Sequence, residues 1–83
     1  MQERVAMEAD YKRQDTEKII RYISLFPDGV EVEDVRRNSG ADKLRVYPAL
    51  FELEQDGSLE VLEREFLGAP KRVRWKKLFF TNN

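Results

Sequence analysis

Residues 44–63, LRVYPALFELEQDGSLEVLE, constrain the fold more than any other part of this chain. Apolar side chains recur at helical spacing as far as Asp56-Gly57, and from Leu59 the pattern changes to alternation among β-prone residues. Gly57 supplies the left-handed position that terminates a helix. A helix that stops on glycine and passes at once into a strand belongs to a packed helix-plus-hairpin unit, not to a bundle or a sandwich.

The rest of the sequence is read around that junction. Eighty-three residues make one small domain. A chain of this length buries only about 60–65% of its unfolded surface, so a marginal monomer is expected. The apolar fraction of 41%, with five Phe and one Trp, still suffices for a compact core. The absence of Cys excludes disulfides and thiolate metal sites and fits a reducing cytoplasm. No apolar run is long enough for a membrane span or a signal-peptide core.

Enzyme chemistry finds little to work with. There is neither His nor Cys, so the commonest general base and transition-metal ligands are missing, and the glycines are too scattered to cradle a phosphate. Glu63 and Glu65 could pair as acid and base, but charged residues alternating along a strand are ordinarily a solvated face. No catalysis, metal or cofactor is expected. The formal net charge of −1 is not that of a dedicated nucleic-acid domain, so any such role must rest on where the charges sit.

Residues 1–14 read as a partly helical N-terminal arm, either frayed or docked across a second subunit, and residues 15–80 as the folded domain. Asp15 is expected to cap the first helix, whose inward face is Ile19, Ile20, Tyr22, Ile23 and Phe26, with Pro27-Asp28-Gly29 as its stop. Val30 to Val32 form a short edge strand, and a brief second helix follows over 33–38. Asp42 caps the third helix, with Val46, Tyr47, Ala49, Leu50, Phe51 and Leu53 as its apolar arc. Because proline suits only the first turn of a helix, Pro48 places the regular start near Val46 or Tyr47. Two strands, 59–67 and 71–80, are joined by Gly68-Ala69-Pro70. Alternation points Leu62, Phe66, Val73 and Trp75 inward, with Val61, Glu63, Glu65, Arg72, Arg74 and Lys76 outward.

Three helices followed by a hairpin define an α+β winged helix, with a three-helix core, a C-terminal β-hairpin wing and an N-terminal helical arm. In a helix-turn-helix the second motif helix enters the major groove while its neighbours hold the backbone. Lys43, Arg45 and Tyr47 on the third helix are the expected groove residues, with Arg36, Arg37, Arg72 and Arg74 on phosphates and Lys71, Lys76 and Lys77 nearby. Two features oppose this. The outward face of the third helix, Arg45, Pro48, Glu52, Gln55 and Asp56, carries one positive charge against two negative ones. A four-residue loop over 67–70 would set Glu65 opposite Arg72, Glu63 opposite Arg74 and Val61 opposite Lys76, neutralising the wing. Tyr47 and Trp75 fall on core faces and read as packing groups, not stacking platforms. Val5, Leu78 and Phe80 are left as apolar groups near the ends, where a homodimer interface is expected.

The run Val46 to Gly57, VYPALFELEQDG, followed by a strand, resembles the PadR-like winged-helix regulators, through Tyr47-Pro48-Ala49-Leu50, then Leu53-Glu54 and Gly57. Gly68-Ala69-Pro70-Lys71 is more loosely similar to that family's wing. The resemblance covers residues 16–77 and implies a winged helix in which Pro48 is compatible with the third helix. It further implies double-stranded DNA as partner and a role in transcriptional control, through Lys43, Arg45 and the wing. The family's His-Gly-Tyr segment after the first helix is replaced by Phe26-Pro27-Asp28-Gly29-Val30, and its long dimerising C-terminal helix has no counterpart before Asn83. Its dimerisation mode is therefore not carried over. The alternative is a winged-helix interaction module that binds protein and not DNA.

Overall fold

The computed structural model describes residues 2–76. In chain order these form α1 (Gln2–Ser24), β1 (Val30–Glu31), α2 (Val32–Asn38), α3 (Lys43–Gln55), β2 (Leu59–Arg64) and β3 (Pro70–Trp75). The strands make one antiparallel sheet in the order β1-β3-β2. The architecture is thus α+β, three helices with a three-stranded antiparallel sheet, a layout compatible with a winged helix. No helix among the described residues is long and apolar enough to cross a membrane.

One core gathers a face from every element: Ile19 and Ile23 of α1, Val30 of β1, Val32 and Val35 of α2, Val46, Ala49, Leu50 and Leu53 of α3, Leu59 of β2 and Val73 of β3. Ile20, Tyr22, Tyr47, Val61 and Trp75 pack against its edge. Tyr47 and Trp75 therefore serve as packing groups, as their periodicity indicates.

Asp15 does not cap α1, which runs unbroken through it from Gln2. The preceding stretch lacks Gly and Pro and is rich in helix formers, so nothing halts propagation backward from the packed turns. At 1.5 Å per residue the 23-residue helix is roughly 34 Å long, and its side chains from Asp10 to Gln14 are all exposed. The Asp15 carboxylate instead accepts the Asp42 backbone N–H at 3.4 Å, which ties α1 to the start of α3.

Between α1 and β1 the chain turns on Gly29, whose φ is +117°. That φ strains any other residue, and a Cβ there would also press on the ends of the Leu62 and Arg72 side chains, at 2.7 Å and 3.0 Å, where the hairpin meets the turn. Val30 and Glu31 then pair with Val73 and Arg72. Val32, expected at the end of that strand, opens α2 instead and is buried there.

Asp42 caps α3 as its chemistry requires. Its Oδ1 accepts the Leu44 N–H at 2.9 Å and its carbonyl accepts the Arg45 N–H at 2.9 Å. The helix is regular from Lys43, earlier than Pro48 alone would allow. Pro48 has no N–H to bond the Leu44 carbonyl, and it lies on the exposed side of the helix, away from the buried Val46 and Leu50. At the far end Gly57, with φ +85°, donates to the Glu54 carbonyl at 3.1 Å, and Ser58 donates to that of Leu53 at 3.0 Å. These two bonds are the glycine-terminated Schellman arrangement, and they deliver the chain into β2 one residue later.

The hairpin differs from expectation in register. Leu59 faces Trp75, Glu60 faces Arg74 and Val61 faces Val73, while irregularities around Leu62 put Glu63 opposite Arg72 and Arg64 opposite Pro70. Arg74 thus meets Glu60 and not Glu63, a slip of three positions. An odd slip exchanges the faces of a strand, so Leu59 and Val61 point inward where Leu62 and Phe66 were expected. The cause lies at the tip. The strands end at Arg64 and Pro70, which leaves residues 65–69 as a longer loop, and Pro70, with no N–H to lose, starts β3 and is fully buried.

Candidate nucleic-acid interface

The site is built on the outward face of α3. Leu44, Pro48 and Phe51 lie at i, i+4 and i+7, on one stripe opposite the buried Val46, Leu50 and Leu53. Pro48 is exposed and Phe51 is 48% exposed, so Phe51 leaves the apolar arc to which it was assigned. Lys43 and Arg45 sit on either side of Leu44, about 100° around the helix in each direction. The first turn carries no acidic residue, and the positive end of the helix lies there too.

The two acidic residues that argued against an anionic partner are both occupied. Lys12 of α1 reaches Glu52 with Nζ to Oε2 at 3.3 Å. Asp56 turns back and accepts the Ser58 N–H at 2.9 Å. Glu54, the remaining carboxylate within α3, is ion-paired with Arg64 of β2. Lys43 and Arg45 have no carboxylate at ion-pair distance among the described residues. The Glu52 and Glu54 ion pairs are partly solvent-exposed and each contributes only about 0–1 kcal/mol, so their importance is to the sign of the surface and not to stability.

The other expected contacts divide. Arg37 of α2 is exposed and, like Lys71 at the start of the wing, has no ion-pair partner among the described residues. Arg36 is half-buried, donates to Glu33 at 3.4 Å and holds its guanidinium 5.9 Å from the Tyr47 ring centre. It therefore fastens α2 to α3, and Tyr47 is covered on that side. Arg74 is ion-paired with Glu60, and Arg72 donates from Nη2 to the Asp28 carbonyl at 2.8 Å. Both wing arginines thus hold the sheet and the α1–β1 turn together. Of the cross-strand neutralisation read from the sequence, one ion pair is present, Arg74 with Glu60 in place of Glu63, while Arg72 bonds a neutral carbonyl and not Glu65.

The wing tip was not foreseen. Phe66 is 99% exposed and Leu67 is 90% exposed, on a loop closed by Glu65 N–H to the Ala69 carbonyl at 2.7 Å and Gly68 N–H to that of Glu65 at 2.8 Å. Arg64 braces this loop, since one of its nitrogens donates to the Gly68 carbonyl at 3.0 Å while the other meets Glu54. One guanidinium thereby fixes the tip relative to α3. Of the residues expected at a dimer interface, Leu78 and Phe80 lie outside the described residues, as does the side chain of Val5.

No group of three or more Asp and Glu among the described residues is placed to hold a metal ion. Comparison with family models, with curated proteins and with solved structures finds no match to this chain.

Proposed function

We propose that this chain is a non-catalytic, PadR-like winged-helix protein that binds double-stranded DNA and acts, as a cytoplasmic homodimer, in transcriptional control. The observation that supports it most is the charge state of α3. Its carboxylates Glu52 and Glu54 are ion-paired, whereas Lys43 and Arg45 at its N-terminal end have no such partner among the described residues. A helix that enters the major groove does so by that end. In this reading Lys43 and Arg45 take phosphates on the two sides of the groove, and Arg37 and Lys71 hold the flanking backbone. Arg36 links α2 to α3, Arg72 ties β3 to the α1–β1 turn and Arg74 holds β3 to β2.

Measured by fluorescence anisotropy on random-sequence duplex DNA, affinity should fall steeply with salt. Four phosphate contacts per protomer give a slope of log K against log salt of roughly −3 to −4. Absence of binding at low salt would reject the proposal. A second reading is then favoured by Phe51, Phe66 and Leu67, whose exposure serves no purpose on a polyanion but suits a protein-binding winged helix.

A further inference from the structure

We propose that Leu44 is a specificity residue that reads the C5-methyl groups of thymine, an inference that rests on the DNA-binding role proposed above. Leu44 stands in the first turn of α3, the part of a major-groove helix that meets base edges, and it is 85% exposed. Its orientation is set by the Asp42 cap, which bonds the Leu44 N–H itself. Leu44 and, one turn on, Pro48 present no side-chain donor or acceptor along the centre of the outward stripe. The hydrogen-bonding code of the major groove is therefore closed to this line of the helix. What an aliphatic side chain can recognise there is the thymine methyl group.

The flanking charges decide what kind of molecule covers this leucine. Lys43 and Arg45 bracket it without ion-pair partners among the described residues, and the carboxylate of the preceding residue, Asp42, is turned onto the Leu44 backbone N–H and not onto either cation. An apolar contact between two cations at a positive helix end complements a groove walled by phosphates. A protein docking surface would have to bury or pair both charges.

The test compares alternating dA·dT duplex with alternating dA·dU duplex of equal length, which differ in the methyl group alone. At one salt concentration the thymine duplex should bind about fourfold more tightly for each methyl buried. Leu44→Ala should abolish that difference while leaving the salt slope unchanged, because Lys43 and Arg45 are intact. The exposure of Leu44 makes loss of fold by this variant unexpected, and circular dichroism checks it. Equal affinity for the two duplexes overturns the inference and leaves the DNA-binding role standing. Full discrimination by Leu44→Ala also overturns it, since the methyls are then read elsewhere. If neither duplex is bound at low salt, both proposals fall, and Leu44 with Phe51 is left to a protein partner.

Discussion

Leu50→Ala should remove a large share of this protein's stability and lower its urea midpoint markedly. Leu50 is completely buried at the middle of α3, with Val46 and Leu53 one turn away on either side. Truncating a leucine in such a place removes its transfer free energy and leaves a cavity, together about 2–5 kcal/mol. At roughly 0.05–0.15 kcal/mol per residue, a domain of this size has a total stability of about 4–12 kcal/mol. The loss is therefore a large share of the whole. Urea denaturation followed by tryptophan fluorescence of Trp75, which packs against this core, measures it directly. A midpoint within error of the unmodified protein would mean that α3 does not pack as described.

The second large effect concerns binding. Exchanging both cations at the start of α3, Lys43→Glu with Arg45→Glu, should remove measurable duplex affinity at physiological salt. Two phosphate contacts are lost and two repulsive charges gained, and non-specific affinities begin at only about 10⁻⁴–10⁻⁶ M. The same change at Arg36 would confound binding with folding, because that side chain links Glu33 to the Tyr47 ring. Lys43 and Arg45 have no such bonds among the described residues, so their reversal should leave the urea midpoint nearly unchanged. Retained affinity would take both residues out of the site.

Much of the fold is legible in local chemistry. Asp42 as cap and Gly57 as stop depend on residues within a few positions of one another, and both stand as read; the edge strand is present too, but shorter, over Val30–Glu31. What failed depends on several weak preferences acting together. The hairpin register turned on the length of the 65–69 loop and on an irregularity at Leu62, and neither has a distinct sequence signal. That error then put Phe66 in the core and Glu63 beside Arg74. The lost bond of Pro48 places the start of α3 too late, because the Asp42 cap bonds Leu44 and Arg45 and fixes the helix from Lys43.

The candidate site divides the same way. Lys43 and Arg45 are legible as basic residues placed directly after the Asp42 cap, off the buried Val46 face. The engagement of Arg72 was beyond reach, because its partner, the carbonyl of Asp28, lies 44 residues earlier in the chain. Glu52 was counted as a repulsive charge because its partner Lys12 was placed in an arm and not on a continuous helix. Leu44 did have a signal. It shares a face with Pro48 and Phe51 at i, i+4 and i+7, which the broad apolar arc drawn around Tyr47 and Phe51 obscured.

Backbone amide shifts followed by NMR during titration with random-sequence duplex DNA test most directly the claim that the N-terminal turn of α3 is the binding surface. The account predicts the largest changes at Lys43, Leu44, Arg45 and Tyr47, with smaller ones at Arg37 and Lys71, all fading as salt is raised. Changes confined to the wing tip at Phe66 and Leu67, or to the exposed turn of α1 around Tyr11, with α3 unmoved, would contradict it.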